Sequence, residues 1–545
     1  MKIQVNNTPK PGSSQSQLDS EGSSDPLSHS RRLTVIVITP VILITLYIGL
    51  YFVIRYTGHW TENDTASMSV AIRGISQSGK LVPETGDIYS NGYAYQVISA
   101  FILAVTGIDT AFLQQIIFPF AILLLAIPAC ILLYEITGSR SSAVLGSILL
   151  FTQPEFLFVV LRGSHEKFGR LFMILALFLL FRSFKSQGKL RLFATYVGLF
   201  YLVVYGLLSS NFLIGFSFIT ALTFGLVVGA ILETLRVNLT EMIGTTTRRL
   251  AIVVFTCFII AFLLIFYFYP PVQYNLRIIN GLFGKIGALA LGAETTNVYE
   301  GVFNAWINPL VYVMINMANW LIILISFPLW CSQGITWVIK KHSPRSQSAW
   351  LLWLLYGAFG FQAILSILSD ASGMFNNLQL RLFPSFALLA VAIVTDTLSH
   401  RTFKFPKTRL TKIALGISIF LLASFSLIKA TNEASLVNWW TFYTIPELNA
   451  MQWFDRKIEN ASLWAGFSGR LPEAMRLVEG NSARNNTLHF QDYGAIMPYF
   501  LVSDLVKQQS ARVLHMLPDA SYAEKIYDNG TTQIYHRHPR TPYQR

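Results

Sequence analysis

Eleven apolar runs, each near the roughly 20 residues a helix needs to cross a bilayer, constrain this chain more than any other feature. They are Leu33–Ile54, Thr110–Tyr134, Ser141–Leu161, Phe168–Phe181, Phe193–Leu208, Phe212–Leu232, Leu250–Tyr269, Ile307–Trp330, Trp350–Leu368, Leu382–Thr395 and Ile413–Ile428. In hydrocarbon every backbone N–H and C=O must be bonded within the chain, so such runs become helices. Only 13% of the residues are charged, where soluble proteins hold about a quarter. The net charge of +13 would suit a nucleic-acid partner, but the Lys and Arg residues fall mostly in short loops between apolar runs. That pattern sets membrane orientation, so the bilayer is the expected partner and nucleic acid is not.

A further apolar run, Tyr93–Ile108, is short and interrupted by polar groups. If it crossed the membrane, Arg182, Lys185, Lys189 and Arg191 would face outward, against the positive-inside rule. If it lies along the surface, the basic loops share the cytoplasmic side: Arg31 and Arg32, Arg140, Lys185 to Arg191, Arg236 to Arg249, Lys340 to Arg345, and Arg401 to Arg409. Most loop acids then share the other side: Glu62, Asp64, Glu84, Asp87, Glu166, Glu294, Glu300 and Asp370. A cytoplasmic N-terminus and an odd number of spans put the C-terminus outside.

The expected fold is an all-α polytopic membrane domain of about 11 transmembrane helices plus external surface helices, followed by a small C-terminal extracytoplasmic α/β domain. Residues 1–30, rich in Ser, Gln, Asn and Pro, read as a disordered cytoplasmic tail, too polar for a signal peptide. Residues 31–429 form the membrane domain and 430–545 the soluble domain. In the latter, Trp439 and Trp440 suit the membrane interface. Pro446 to Ile458 has helical spacing, with Leu448, Met451 and Phe454 on one side. Asn529-Gly530, between two β-prone runs, predicts a hairpin with a type I′ turn. Cys130, Cys257 and Cys331 lie in or at the ends of apolar runs and imply neither a disulfide nor a metal site. Few cysteines and basic loops fit a prokaryotic plasma membrane.

Chemistry is expected on the acidic side. Glu62-Asn63-Asp64 follows the first span, ahead of an amphipathic stretch in which Met68, Ala71, Ile72 and Ile75 share a face. Asp64 there is either a helix cap or a functional carboxylate aimed at the membrane edge. The second short loop, Arg162 to Arg170, packs Arg162, His165, Glu166, Lys167 and Arg170 between two apolar runs. Glu166 and Arg170 stand at the spacing of a local ion pair. The functional reading makes this loop a site wall, with His165 and Glu166 for metal or proton work and Arg162 and Lys167 for phosphate charge. Glu300 lies in a long external segment, Pro271 to Ala305, that also contains Gly281, Gly284, Gly287 and Gly292. Arg381 opens the tenth run, where it either snorkels or holds a phosphate through its bidentate fork. No Walker A, dinucleotide, H-E-x-x-H or G-x-S-x-G motif is present, so no nucleotide cofactor is expected.

This order of features resembles the GT-C superfamily of membrane glycosyltransferases, which includes oligosaccharyltransferase catalytic subunits and protein mannosyltransferases. Glu62-Asn63-Asp64 matches the acidic motif of their first external loop, and His165-Glu166 matches the motif after the third span. Glu300 and Arg381 match the later loop Glu and late-span Arg of oligosaccharyltransferases. The chain departs in its E-x-D, where protein mannosyltransferases have paired Asp-Glu. It also lacks the W-W-D-Y-G acceptor motif, of which Gln491-Asp492-Tyr493-Gly494 is a fragment.

The resemblance implies a sugar donor linked to polyprenyl phosphate or diphosphate, and a glycan, lipid or protein acceptor. It implies catalytic Asp64, Glu62, Glu166 and His165, with substrate held by Arg381, Arg162, Lys167 and Glu300. It leaves open whether Asp64 takes a proton or, with Glu166, binds Mg²⁺ or Mn²⁺. The rival readings are a glycan polymerase or ligase of another fold, and a lipid or polysaccharide transporter (a flippase). A transporter should carry ionisable groups at mid-membrane and often inverted repeats.

Overall fold

The computed structural model describes residues 26–61, 63–81, 89, 92–186, 189–234, 241–264, 284, 287, 309–340, 342–374, 378–400, 408–431, 441–458, 461–467, 469–480, 487–488, 497–513 and 517–537. Glu62, Glu300 and its loop, Trp439-Trp440 and the Gln491–Gly494 fragment lie outside the described residues.

The membrane part runs α1 (Pro26–Tyr56), β1 (Trp60–Thr61), α2 (Asn63–Ser78), α3 (Tyr93–Thr106), α4 (Thr110–Thr137), α5 (Arg140–Leu150) and α6 (Pro154–Leu161). It continues with α7 (Glu166–Lys185), α8 (Leu190–Ser210), α9 (Phe212–Thr234), α10 (Glu241–Leu263), α11 (Pro309–Gly334), α12 (Gln347–Ala371), α13 (Leu378–His400) and α14 (Arg409–Thr431). Among the described residues, nine helices are long and apolar enough to cross a membrane, or ten if one bent pair counts as a span. The protein is an integral membrane protein.

Two of the eleven expected spans differ in kind. Ser141–Leu161 is the bent pair: α5 and α6 meet at 74°. Pro154 is the cause, because it has no N–H to continue α5's ladder and holds Gln153 extended at φ −85°, ψ 119°. The expected Phe168–Phe181 span lies within α7, 20 residues long, which carries Glu166, Lys167 and Arg170 at one end and Arg182 and Lys185 at the other. Charges at both ends, not shortness, set it apart from the nine.

The bundle is built around α13. Every residue from Phe383 to Thr397 is buried, as expected of a helix apolar on all sides. Close approach to α13 needs Gly146 of α5, where a Cβ would meet Thr395 at 3.0 Å and Val391 at 3.3 Å. Helix α3 is too short to span and packs on α2 and α8. It buries Tyr95, Gln96 and Ser99 and exposes Phe101 and Val105. That inverted arrangement suits a helix with polar groups toward protein and apolar groups toward lipid.

The C-terminal part contains β2 (Thr441–Phe442), α15 (Ile445–Lys457), β3 (Leu463–Trp464), α16 (Arg470–Glu479), β4 (Thr487–Leu488), β5 (Tyr499–Ser503), α17 (Asp504–Val513), β6 (Ala523–Asp528) and β7 (Thr532–Arg537). Its sheet has the order β4-β3-β5-β7-β6, parallel across β4, β3 and β5 and antiparallel across β5, β7 and β6. A capping box between Thr444 and Glu447 starts α15, whose Leu448, Met451 and Phe454 are buried as the spacing predicts. Arg470 grips both Glu447 oxygens at 2.6 and 2.8 Å inside this part. The hairpin forms, but Gly530 alone is left-handed (φ 94°), so the turn is not type I′, which needs two such residues.

This part is tied to the membrane bundle beside α2. Strands β1 and β2 pair antiparallel, with Trp60 opposite Phe442. Gln115 of α4 donates to the Trp60 carbonyl at 2.6 Å and to the Tyr443 hydroxyl at 3.0 Å. Leu477 of α16 buries itself against Ala66 of α2 and Ala111 of α4.

Candidate active site

Three separate elements bring charge to one end of the bundle. Helix α2 contributes Asp64 in its first turn. The α6–α7 turn contributes Arg162, Ser164, His165 and Glu166, and α13 contributes Arg381. The Arg162 guanidinium donates to Asp64 Oδ2. Arg381 approaches the same oxygen at 3.5 Å and Glu166 Oε1 at 3.6 Å. Arg162 closes the ring at 3.8 Å from Glu166 Oε2 and donates to Ser164 Oγ at 3.0 Å. Tyr89 donates to the other Asp64 oxygen at 3.2 Å. Asp64 is therefore engaged at both oxygens by groups distant in sequence, beyond any role as a helix cap.

Arg170 buttresses the ring from below. Its guanidinium donates to Ser385 Oγ and to the Arg381 carbonyl. The spacing of Glu166 and Arg170 predicts a local pair; Glu166 instead pairs with Arg162, one turn earlier, and with Arg381. Lys167 does not join the ring among the described residues: its ammonium lies 5.2 Å from the Phe118 ring centroid, and it has no hydrogen-bond partner there.

His165 is fully buried, with its ring 5.4 Å from that of Tyr89. Neither of its nitrogens has a hydrogen-bond partner among the described residues, and neither has either Glu166 oxygen. Buried polar atoms left so call for an explanation, and a bound ligand is one. Gly92, before α3, makes room for this imidazole: a Cβ there would sit 2.9 Å from His165 Cβ and Cγ.

The electrostatics follow from these contacts. Burial alone would raise the Asp64 carboxyl, but the Arg162 and Arg381 guanidiniums outweigh it and hold the pKa at about 2. Burial pushes His165 down to about 4, although Glu166 and Asp64 pull the other way. Burial raises the Tyr89 phenol, and the Asp64 charge adds to the rise. At neutral pH the cluster thus holds two carboxylates, a neutral imidazole and the guanidiniums of Arg162, Arg170 and Arg381. Arg381, with 28% of its side chain exposed, is the guanidinium that solvent reaches most readily.

Among the described residues, the donor set as arranged does not fit a divalent cation. Guanidiniums meet both carboxylates where a metal would stand, and no group of three His, Cys, Asp or Glu among the described residues is placed to hold one.

The backbone resembles that of solved membrane enzymes. Archaeal oligosaccharyltransferase AglB from Archaeoglobus fulgidus, in complex with an inhibitory peptide and a dolichol-phosphate, aligns over 91% of this chain and 74% of its own at 11% identity, TM-score 0.52. The same organism's oligosaccharyltransferase, in complex with Zn and sulfate, aligns over 91% and 73% at 12% identity, TM-score 0.51. The chain has the GT-C fold. ArnT from Cupriavidus metallidurans, bound to undecaprenyl phosphate, aligns over 91% and 97% at 10% identity, TM-score 0.47. No protein-family model matches the sequence, and no curated protein sequence does. At such identities the likeness speaks for the fold; the case for a site rests on the ionic ring.

Of the residues expected from sequence, the GT-C fold brings together Asp64, Arg162, His165, Glu166 and Arg381. Sequence reasoning missed Tyr89, Ser164, Arg170 and Ser385 as partners of that group. Arg170 carried a signal, since a third cation beside Arg162 and Lys167 in so short a loop is costly near lipid. Tyr89 carried none, because a loop tyrosine is ordinary.

Proposed function

We propose that this protein is an integral membrane glycosyltransferase that moves a sugar from a polyprenyl-phosphate or -diphosphate donor to an acceptor on the extracytoplasmic face. The observation that carries the reading is the ring of Asp64, Arg162, Glu166 and Arg381, assembled from three elements at one end of a GT-C bundle, beside the C-terminal part. The leaving group is an anionic phosphate, and the partly exposed Arg381 offers it a planar two-pronged donor. Asp64 and Glu166 hold that guanidinium in place at distances long enough for a phosphate oxygen to compete. One nitrogen of the neutral His165 ring and the oxygens of Glu166 can accept from sugar or acceptor hydroxyls, and the other His165 nitrogen can donate.

Asp64, fixed as a carboxylate, orients Arg162 and Arg381 and takes the proton of the acceptor hydroxyl as that oxygen bonds to the anomeric carbon and the anomeric bond to the phosphate oxygen breaks. Placement of the site and of residues 430–545 on the extracytoplasmic face rests on the charge asymmetry of the loops.

The test is to incubate purified protein with labelled polyprenyl-phosphate sugars, with and without EDTA, beside Asp64→Asn. Label should leave the lipid in wild type and fall at least 100-fold in the variant. Full transfer by the variant refutes the role of Asp64. Absence of any turnover, with every donor tried, shifts the reading toward transport. An EDTA-sensitive wild type would bring a divalent cation into the site.

A further inference from the structure

Outside the ionic ring lies a second buried charge pair. The Lys429 ammonium of α14 donates to Glu155 Oε1 of α6 and, at 2.5 Å, to Asn316 Oδ1 of α11. Asn316 is fixed in turn by its own donation to the Tyr312 carbonyl at 2.9 Å. Glu155 is 1% exposed, and the Lys429 side chain 10%. Burying two charges among apolar helices is expensive, and such pairs are poor stabilisers compared with apolar packing. Their place in the fold says what this one is for.

Helix α6 is a two-turn rod whose first turn holds Glu155 and whose end delivers Arg162. Glu155, Phe158 and Arg162 stand at i, i+3 and i+7, along one stripe of the rod, about 10 Å from end to end. The Arg162 guanidinium sits 5.0 Å from the Phe158 ring centroid, on that stripe. The rod is hinged at the other end, where the 74° break replaces continuous helix. Helix α14 grips the hinge at two points one turn apart. Ser426 Oγ donates to the Thr152 carbonyl at 2.5 Å, and Lys429 reaches Glu155. The spacing of Ser426 and Lys429 on α14 equals that of Thr152 and Glu155 across the break, so one register satisfies both contacts.

We propose that Glu155, Lys429 and Asn316 form a positioning lock that fixes α6 about its hinge and thereby places the Arg162 guanidinium on Asp64. The lock is distinct from the ionic ring and touches no reacting atom in the proposed reaction. Its catalytic consequence rests on the function proposed above; its geometric consequence does not. A guanidinium displaced by about 1 Å lowers turnover by up to about 100-fold while leaving donor binding largely intact.

The experiment uses the full-length protein in nanodiscs and the variant Glu155→Gln with Lys429→Met, which removes both charges without stranding either. Arginines are labelled with phenylglyoxal and quantified site by site by mass spectrometry, with buried Arg470 of the C-terminal part as the control. Arg162 labelling should rise at least fivefold while Arg470 stays protected. Turnover of a labelled polyprenyl-phosphate sugar should fall 10- to 100-fold with KM within threefold. The reversed pair, Glu155→Lys with Lys429→Glu, should restore protection of Arg162. Unchanged labelling of Arg162 overturns the lock, as does a parallel rise at Arg470, which would mark the pair as a general stabiliser. If the neutral pair does not fold, Asn316→Ala is read by the same criteria. Should wild type transfer no sugar at all, the proposed function fails while the labelling still decides the lock.

Discussion

Asp64→Asn should cost stability as well as turnover, and the size of the cost follows from the ring. Asp64 Oδ2 faces two guanidiniums, and Oδ1 accepts from Tyr89. The fall of its pKa from 3.8 to about 2 corresponds to roughly 2 kcal/mol of preference for the charged form in the folded protein. Breaking a deeply buried pair costs about 3–5 kcal/mol, because the partner is stranded. Here the remaining guanidiniums still face Glu166 at 3.6 and 3.8 Å, and Arg381 is partly exposed. The cost should therefore lie at the lower end, roughly 2–3 kcal/mol at pH 7.

Its pH dependence has a definite sign. The folded pKa is depressed, so the stabilisation is present above the unfolded value near 4 and is lost as pH falls toward the folded value near 2. Equilibrium unfolding in mixed micelles, followed by tryptophan fluorescence, reads the difference between wild type and Asp64→Asn. The gap should be full at pH 7 and should shrink between about pH 4 and 2. Adding Arg162→Met to Asp64→Asn should recover part of the loss, since only Arg381, partly exposed and still paired with Glu166, then faces the neutral amide. Equal stability at pH 7, or a gap that stays constant down to pH 2, would refute the reasoning.

Gly92→Ala should lower stability by about 1–3 kcal/mol, since its Cβ would overlap the rigid root of His165 at 2.9 Å, and Met68→Ala should relieve only the 2.6 Å clash with the Met68 tip. Thermal unfolding of the single and double variants checks this; full rescue by Met68→Ala would remove His165 from the explanation. Lys167→Met should leave the unfolding midpoint unchanged or raise it, because it removes a buried ammonium without a hydrogen-bond partner among the described residues. A loss above about 1 kcal/mol would reveal an anionic partner. A reporter fused after Lys429 should read extracytoplasmic, and a cytoplasmic signal would reverse the topology drawn from the basic loops.

How much of this was legible in the sequence depends on how local the cause is. The spans were, because a bilayer forces helices wherever an apolar run is long enough. The surface helices were as well, since Met68, Ile72 and Ile75 of α2 mark a face by spacing alone and all three are buried. The break at Pro154 had a local signal, yet Ser141–Leu161 has the length of one span, and length prevailed over the proline. Glu166 shows where spacing fails: Arg162 and Arg170 stand equally far from it in the sequence, and only the position of Arg381 and Ser385 on α13 decides which is the partner. The Glu155–Lys429 pair joins groups far apart in the chain, so nothing local in the sequence predicts it. In the C-terminal part the β6–β7 hairpin announced itself, whereas two-residue strands such as β3 exist only through their neighbours.

The most direct test of the central claim is single-turnover transfer by Arg381→Met at saturating labelled polyprenyl-phosphate sugar. If, as proposed, Arg381 holds the phosphate that leaves, the chemical step should slow at least 100-fold, while the fold, read by thermal unfolding and by protection of Arg470, remains. A variant that transfers sugar at the wild-type rate would contradict the assignment of this ring as the active site.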